Sequence, residues 1–297
     1  MQLICPSHWT DYELIDTGGF EKLERFGKYT LRRPEPQAVW DKTLSSDQWD
    51  LRSHASFRLN KDLGKSSDLG ERGEWQLKSG MPQQWFVDYK YKEMELRFRL
   101  GLTSFKHVGI FPEQSANWDY IYDFLKIQIN ELRVLNLFAY TGGASLAAKA
   151  GGADVVHLDS VKQVVNWSNE NMMASKLDGI RWVVEDALKF IKREVKRNKS
   201  YHGIIIDPPA YGRGPEGEKW ILEYQINELI NLCSKLLITK NSFFIMNLYS
   251  MGFSALIAEN LINAHFGKSS NLEIGEIYIP DQFNKKLPLG IYARFAR

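Results

Sequence analysis

From about Phe111 to the C-terminus, short apolar runs alternate with longer segments that have the periodicity of amphipathic helices. Parallel strands need crossover connections, usually helices, so this alternation predicts a wound, mostly parallel α/β sheet. The predicted strands cover residues 133–138, 154–158, 181–184, 203–206, 242–247, 272–279 and 290–295. The predicted helices cover residues 118–129, 161–175, 187–197, 220–237 and 254–264. Ligands of such sheets bind beyond the carboxyl ends of the strands, so functional residues are expected there.

The first hundred residues have a different pattern. From about Trp9 to Leu100, glycines and prolines separate short alternating runs, which is typical of a β-rich module. Every second residue from Met94 to Leu100 is apolar, as in a half-buried strand. The polar residues 60–73 are interpreted as a mobile loop. We therefore expect a smaller N-terminal β-rich domain at residues 1–105 and an α/β domain at residues 106–297.

Composition excludes several classes. With 297 residues, 44% of them hydrophobic and 25% charged, the chain has an ordinary globular composition. No apolar run approaches the roughly 20 residues of a membrane span, and the N-terminus lacks the basic and long apolar regions of a signal peptide. We therefore expect a cytoplasmic protein with no membrane partner.

The cysteines and the net charge say little about partners. Cys5 and Cys233 are the two cysteines, too few for a disulfide framework, and neither has metal-ligand spacing with a histidine, so no metal is expected. Cys233 lies in a helical pattern, where a buried structural role is expected. A net charge of +2 does not by itself indicate nucleic-acid binding.

A glycine-containing loop follows the first predicted strand of the α/β region. Gly142 and Gly143 permit positive φ and a close approach of the backbone to a ligand, and the amides of a following helix would face a carboxylate. The three-glycine turn that seats a pyrophosphate is absent. This favours a ligand with a carboxylate and no phosphate, such as the methionine end of S-adenosylmethionine. A plain strand-to-helix turn is the alternative.

Two acids end the next two predicted strands. Asp159 stands roughly 20 residues past the glycines, where an acid commonly accepts hydrogen bonds from ribose hydroxyls. Its alternative role is to cap the helix that begins at Val161, which Ser160 would also do. Asp186 would accept from an adenine amino group or cap the helix that begins at Ala187.

The most diagnostic segment is Gly203-Ile204-Ile205-Ile206-Asp207-Pro208-Pro209-Ala210-Tyr211. The isoleucines predict a strand buried on both faces, and the two prolines remove backbone donors just after it. Asp207 and the Pro208 carbonyl would together accept both N–H bonds of an exocyclic amine, with Tyr211 stacked on the ring. The alternative is a strand that is simply ended by prolines and capped by an acid. Arg213 would meet a phosphate or be an ordinary surface arginine.

Residues 106–297 resemble the class I S-adenosylmethionine-dependent methyltransferases, and among them the bacterial group of 23S ribosomal RNA large-subunit base methyltransferases. The resemblance is carried by Leu135-Asn136-Leu137-Phe138-Ala139-Tyr140-Thr141-Gly142-Gly143, Asp159-Ser160, Asp186-Ala187 and Asp207-Pro208-Pro209-Ala210-Tyr211-Gly212-Arg213-Gly214. Residues 106–114 are similar to an element that helps to close over the cofactor in that family. The resemblance implies a seven-stranded wound sheet with the last strand antiparallel.

The resemblance also implies a role for each matching residue. Residues 106–297 would be the S-adenosylmethionine-binding catalytic domain, and residues 1–105 a substrate-recognition module. The catalytic residues would be Asp207, Pro208 and Tyr211. The cofactor contacts would be Asn136, Phe138, Tyr140, Thr141 and Gly142 on the methionine side, Asp159 and Ser160 at the ribose, Asp186 and Ala187 at the adenine, and Lys106, Phe111 and Asp207.

One departure from the family bears on the reaction. Relatives that methylate C5 of cytosine have a cysteine just after the fifth strand, and here residues 244–250 contain no thiol. Transfer to nitrogen is therefore favoured over transfer to C5.

The sequence allows more than one class of substrate. A nucleobase of ribosomal RNA is favoured, and a small molecule, a protein side chain or a cofactor-binding protein with an inactive acceptor site are the alternatives. The segment from Trp85 to Lys92 interleaves aromatic and basic residues, as a platform for single-stranded RNA does. A strand with one packed and one solvated face explains the same alternation better.

Overall fold

The structure is a computed structural model that describes residues 1–59, 72–249, 252–268 and 271–297. The loop expected at residues 60–73 lies almost entirely outside the described residues. The strands are β1 (Gln2–Ile4), β2 (Tyr12–Gly18), β3 (Glu21–Phe26), β4 (Tyr29–Pro34), β5 (Ala55–Leu59), β6 (Gly73–Leu77), β7 (Gln84–Tyr91), β8 (Met94–Gly101), β9 (Arg133–Leu137), β10 (Asp154–Asp159), β11 (Ile180–Val184), β12 (Gly203–Ile206), β13 (Tyr211–Arg213), β14 (Lys219–Ile221), β15 (Phe243–Leu248), β16 (Glu273–Pro280) and β17 (Lys286–Ala296). The helices are α1 (Ser46–Arg52), α2 (Ser115–Lys126), α3 (Gly143–Ala150), α4 (Lys162–Ala174), α5 (Ala187–Lys196), α6 (Leu222–Leu236) and α7 (Ala255–Phe266).

The chain divides into two compact units. The first contains Met1–Ile4, Gln114–Ile277 and Leu289–Arg297, and the second contains Cys5–Glu113 and Tyr278–Pro288. This division differs from the single boundary after residue 105 that we expected from the sequence. Strand β1 belongs with the first unit because it pairs in parallel with β16, Gln2 opposite Gly275. The functional roles assigned to residues 1–105 and 106–297 stay predictions.

The first unit is built on one large α/β sheet. Its eight strands lie in the order β1-β16-β17-β15-β12-β9-β10-β11. Neighbouring strands from β15 to β11 are parallel, whereas β17 is antiparallel to β15. The predicted fold class and the antiparallel last strand are therefore confirmed, and β1 adds an eighth strand at the edge that the sequence did not indicate.

The central strand β12 is apolar on both faces. Ile204, Ile205 and Ile206 of β12 are at most 2% exposed, because β9 and β15 flank β12 and helices cover the sheet. One face contributes alternate strand residues to a cluster with α5, α6 and α7, including Leu135, Leu137, Ile204, Ile206, Phe244, Met246, Phe190, Leu229, Cys233 and Ile262. A rigid centre of this kind fixes the positions of the loops at the strand ends.

The second unit is β-rich, as the sequence predicted. It contains a five-stranded sheet in the order β2-β3-β4-β5-β6 and the antiparallel pair β7-β8. Its ion pairs include a buried one, Arg33 with Glu24 (2.5 Å), and a partly buried one, Lys285 with Asp16 (2.8 Å). The Arg33 guanidinium and Lys22 hold the pKa of Glu24 below its usual range, although burial by itself would raise it.

The aromatic and basic segment of this unit is strand β7. Its burial alternates strictly, with Trp85, Val87 and Tyr89 buried and the residues between them exposed. Two ion pairs link exposed residues of β7 and β8, Lys90 with Glu95 (2.6 Å) and Arg97 with Asp88 (3.4 Å). This is the strand with one packed face and one solvated face that the sequence favoured.

In the residues that the structure describes, no helix has the length and apolar character needed to cross a bilayer.

Candidate active site

The 138–142 loop joins β9 to α3 through an unusual backbone. Phe138 (φ 56°) and Tyr140 (φ 50°) both have left-handed conformations, and Gly142 (φ 94°) precedes α3 in another. A left-handed conformation costs a residue with a side chain about 1 to 2 kcal/mol. Two such residues in one short loop persist only if the surroundings hold them, and such strain clusters at functional sites.

Asp159, at the end of β10, is one of the groups that hold the loop. Its Oδ2 accepts from the backbone N–H of Tyr140 (2.9 Å) and its Oδ1 from that of Val161 (3.0 Å). Burial raises the pKa of Asp159, and these backbone hydrogen bonds act against that rise. The helix-cap alternative for Asp159 and Ser160 is wrong, because α4 starts after Val161 without a side-chain cap.

A buried polar chain supports the loop from within the protein. Asn136 Nδ2 donates to Ser145 Oγ (2.9 Å), which contacts His157 Nδ1 (2.9 Å). His157 Nε2 contacts Ser168 Oγ (3.2 Å), and that hydroxyl donates to the Tyr140 carbonyl (2.7 Å). Asn136 Nδ2 can only donate and the Tyr140 carbonyl can only accept. Each group between them therefore accepts from the group before it and donates to the group after it. His157 is then neutral, with its proton on Nε2.

Burial lowers the pKa of His157 to about 3, which agrees with a neutral ring. The ring is also packed edge-on against Trp182, with 4.8 Å between centroids. The sequence analysis missed this histidine. Its signal was a titratable residue in the middle of an apolar strand, which needs a partner when it is buried.

The two glycines of the loop face other parts of the protein. A Cβ on Gly143 would lie 2.4 Å from Cζ2 of Trp118, so this position must be glycine for α3 to pack against α2. A Cβ on Gly142 would lie 3.3 Å from the Ser168 Cβ. The Cβ side of Gly143 is thus occupied by Trp118, and the approach of a ligand to the backbone of this loop stays a prediction. The backbone amides at the start of α3 remain without intrahelical partners.

Asp186 caps α5, as its alternative interpretation predicted. Its side chain accepts from the backbone N–H of Lys189 (2.8 Å). Ala187 is 3% exposed and packs in the core cluster, so a ligand would meet its backbone only. The contact of Asp186 with an adenine stays a prediction, since a carboxylate has further lone pairs to offer.

The 207–210 corner follows β12 directly. Asp207 is half-buried, and burial raises its pKa to about 6. No described residue makes a hydrogen bond or an ion pair with its carboxyl group. The described residues also leave the Pro208 carbonyl without a donor. Two adjacent hydrogen-bond acceptors thus stand unused at the carboxyl end of the central strands.

Trp220 braces this corner, and the sequence analysis missed it. Its Nε1 donates to the Pro209 carbonyl (2.7 Å), and its ring lies 4.9 Å from that of Phe138. Trp220 is 2% exposed because β13 and β14 form a hairpin, with Tyr211 opposite Ile221. Helix α6 therefore begins at Leu222, two residues later than predicted. Through Trp220 the 138–142 loop and the 207–210 corner share one support.

The structure gathers most of the predicted site residues at one edge of the large sheet. Phe138, Tyr140, Asp159, Asp186 and Asp207 all follow or end neighbouring parallel strands at their carboxyl ends. Half-buried Tyr211 and exposed Arg213 lie on β13, close in sequence to the corner.

Two predicted cofactor contacts belong to the second unit. Lys106 accepts there from Arg33 Nη1 through its carbonyl (3.0 Å), and the Phe111 ring lies 5.2 Å from that of His107. The cofactor roles of Lys106 and Phe111 stay predictions.

The strand order, the strained loop and the acids at successive strand ends define a class of wound-sheet proteins that bind a nucleoside ligand at this edge. The profile of the S-adenosylmethionine-dependent methyltransferases matches residues 71–265, and the chain belongs to this family. The family that the sequence predicted is thus confirmed.

Solved structures agree with this assignment. The crystal structure of a SAM-dependent methyltransferase from Agrobacterium tumefaciens is 31% identical, with a TM-score of 0.89, and the match covers 100% of this chain and 93% of that one. The structure of SMU.776 complexed with SAH is 18% identical, with a TM-score of 0.73, covering 98% of this chain and 76% of that one. At this identity the second likeness is one of fold alone.

Curated relatives match over a shorter region. The "Ribosomal RNA large subunit methyltransferase K/L" of Shewanella frigidimarina (strain NCIMB 400) is 32% identical over 155 residues, which is 51% of this chain and 21% of the relative. That of Pseudoalteromonas atlantica is 32% identical over 139 residues, which is 44% of this chain and 19% of the relative. The chain therefore spans about a fifth of the length of these relatives.

The residues at this edge fit the cofactor. Its carboxylate suits the amides at the start of α3, and its ribose hydroxyls suit Asp159, whose oxygens accept from one backbone N–H each and have lone pairs to spare. The loop has no cradle of three glycines for a pyrophosphate.

Proposed function

We propose that this enzyme methylates an exocyclic nitrogen of a nucleobase in ribosomal RNA. The observation that carries the proposal is the pair of unused hydrogen-bond acceptors at the 207–210 corner, the Asp207 carboxyl group and the Pro208 carbonyl. An exocyclic amine has two N–H bonds, and two adjacent acceptors hold both of them while its lone pair points away. The corner therefore selects an amine and orients it.

In this proposal the cofactor residues act mainly through the backbone. The start of α3 and the 138–142 loop would hold the methionine part, Asp159 with Ser160 the ribose, and Asp186 with Ala187 the adenine. When bound, S-adenosylmethionine supplies an electrophilic methyl group on a sulfonium. The buried chain from Asn136 to the Tyr140 carbonyl keeps the loop in its strained shape before any ligand arrives, so binding does not have to order it.

Asp207 acts first as an orienting group. Its raised pKa, about 6, leaves the carboxyl group mostly ionised at pH 7, and the ionised form is the stronger hydrogen-bond acceptor. After the nitrogen gains the methyl group it carries a positive charge and an acidic proton. Asp207 is then the nearest base to receive that proton. Tyr211 would stack on the ring that bears the amine.

Nitrogen is favoured over C5 because the described residues place no thiol at the end of β15. The end of β15 has Asn247 where relatives that act at C5 have a cysteine nearby. Cys233 is fully buried in α6, and burial raises the pKa of its thiol, so it stays protonated and inert.

Ribosomal RNA is proposed as the substrate from the names of the relatives. Both of these curated relatives are called ribosomal RNA large subunit methyltransferases.

The test is mass spectrometry of ribosomal RNA nucleosides from cells with and without the gene. We expect one N-methylated nucleoside to disappear, and purified enzyme to restore it to the deficient RNA with labelled S-adenosylmethionine. The Asp207→Ala variant should not restore it. Unchanged nucleosides together with labelling of a protein or small-molecule fraction would overturn the RNA assignment in favour of the alternative acceptors.

A further inference from the structure

Asn247 ends the row of polar groups at the carboxyl edge of the sheet, beside the 207–210 corner. Strands β12 and β15 are parallel, with Ile206 opposite Met246, so the next residues along, Asp207 and Asn247, are neighbours. Adjacent strands are about 4.8 Å apart, within reach of a single planar ring. Phe244 and Met246 belong to the apolar cluster, and alternation places Asn247 toward the opposite face of the sheet.

The hydrogen bonds behind Asn247 fix the orientation of its amide. Arg294 Nη1 donates to Asn117 Oδ1 (3.1 Å), and Asn117 Nδ2 donates to Asn247 Oδ1 (3.0 Å). Arginine has no acceptor atom, so Asn117 must present its oxygen to Arg294 and its nitrogen to Asn247. Asn247 must therefore present its oxygen to Asn117, which leaves its own NH₂ group for another partner.

Arg294 is itself held firmly, so this orientation is not free to reverse. Its Nε and Nη2 both donate to Glu273 Oε2 (2.9 and 2.7 Å), and its guanidinium lies 4.2 Å from the centroid of Tyr120. Arginine also stays charged at every accessible pH.

The freed NH₂ group is left unused by the residues that the structure describes. Asn247 is 5% exposed, and no described residue accepts a hydrogen bond from its Nδ2. Such a group at the edge of an active site indicates a ligand that supplies the missing acceptor.

We propose that Asn247 binds the substrate base by donating to the ring nitrogen next to the exocyclic amine that Asp207 and Pro208 hold. Asp207 and Pro208 accept and Asn247 donates, so the edge they read has a donor beside an acceptor. Cytosine (N4 with N3) and adenine (N6 with N1) present such an edge, guanine does so with N2 and N3, and uracil has no amine. This inference rests on the proposed function and adds to it the ring nitrogen that is recognised beside the amine.

The test uses labelled methyl transfer to ribosomal RNA from cells that lack the gene, with three variants. Asn247→Asp keeps the shape and the hydrogen bond from Asn117 but replaces the donor by an acceptor, and we expect kcat/KM to fall by about 100-fold. Asn117→Asp does not touch the base, but it can no longer donate to Asn247. The Asn247 amide should then turn its oxygen outward, and kcat/KM should fall by about 10-fold. Asn227→Asp, an exposed residue on α6, makes the same chemical change and should match the wild type.

Calorimetry with S-adenosylhomocysteine separates this effect from misfolding. We expect all three variants to bind it within about threefold of the wild type, since Asn247 reads the base and not the cofactor. If Asn247→Asp binds it normally and methylates RNA as fast as the wild type, the Asn247 inference is wrong while the proposed function stands. If the wild type itself labels no RNA, the proposed function fails, and the inference fails with it.

A synthetic RNA with the sequence of the methylated segment tests which atom of the base Asn247 contacts. Replacing the ring nitrogen beside the amine by C–H should slow the wild type by at least 10-fold and should not slow Asn247→Ala further. An equal loss in both enzymes would exclude a hydrogen bond from Asn247 to that atom.

Discussion

At the 138–142 loop the polar side chains bind the protein itself, whereas at the 207–210 corner they bind nothing in the described chain. Asp159 and His157 direct their hydrogen bonds to the loop backbone and to buried hydroxyls. Asp207 has no such partner, and burial raises its pKa to about 6. The first region obtains its ligand geometry from a fixed backbone. In the second region the Asp207 carboxyl group is desolvated and has no partner among the described residues. Catalytic groups commonly acquire shifted pKa values in this way.

The largest expected effect comes from removing the reserved carboxyl group. Asp207→Ala should lower kcat by about 100- to 1,000-fold, because the amine loses the group that orients it. Its affinity for S-adenosylhomocysteine, measured by calorimetry, should change by less than about threefold. Glu228→Ala removes an exposed carboxylate of α6 and serves as the control. A loss of cofactor affinity as large as the loss in kcat would place Asp207 in the first region rather than the second.

His157→Leu should weaken cofactor binding, which Asp207→Ala should leave nearly unchanged. The Ser145 and Ser168 hydroxyls would lose a buried partner, so we expect a stability loss of about 2 to 4 kcal/mol in urea denaturation. The Tyr140 carbonyl would lose its support, and affinity for S-adenosylhomocysteine should fall by at least about 10-fold. His265→Leu, at the end of α7, is the control. If His157→Leu bound the cofactor normally, the buried chain would be a core feature with no effect on the loop.

The pH dependence of stability should reveal the cost of burying the ionised Asp207 carboxylate. Because its pKa rises from 3.8 unfolded to about 6 folded, the folded state holds the proton more tightly between these values. Stability therefore falls as pH rises through this window, by at most about 3 kcal/mol. Asp207→Asn removes this penalty, so its gain in unfolding free energy should be present at pH 8 and absent at pH 4. An equal difference in unfolding free energy between variant and wild type at both pH values would show that folding does not raise the pKa of Asp207.

The smallest effect is expected at Asp186, where one residue serves both as a cap and as a predicted adenine contact. Asp186→Ala should cost about 1 kcal/mol of stability, the usual value of an N-cap. Asp186→Ser keeps a capping oxygen and should restore most of this loss. Affinity for S-adenosylhomocysteine should fall by about 3- to 10-fold in both variants. Recovery of the affinity in Asp186→Ser would assign the carboxylate to the cap alone.

Much of the fold could be predicted because periodicity is a local property. The strands of the large sheet from β9 to β17 were placed within a few residues, since each apolar run is bounded by acids, glycines or prolines, whereas the hairpin of β13 and β14 was not predicted. The first strand of the sheet was missed because Gln2–Ile4 is short and pairs with β16, far away in sequence. The start of α6 was misplaced because Trp220 belongs to a hairpin whose partner strand begins at Tyr211.

The candidate site could likewise be predicted only in part. Asp159, Asp186 and Asp207 could be named from their positions after predicted strands. What each carboxylate does depends on its neighbours, so Asp186 proved to be a cap, and Asp159 proved to bind two backbone amides instead of capping α4. The roles of His157 and Trp220 depend on the groups that the fold packs around them, and Asn247 was missed because its partner Asn117 lies 130 residues away along the chain.

The sequence by itself determined the class of fold, the edge of the sheet at which ligands are expected and the acids that stand there. These depend on the alternation of apolar and polar residues and on prolines that end a strand, which act within a few residues of the chain. Only the tertiary structure decided which polar groups are used up by the protein and which stay available. A hydrogen bond joins whichever donor and acceptor the fold brings together, so the Arg294–Asn117–Asn247 chain and the unused carboxyl group of Asp207 exist only after folding.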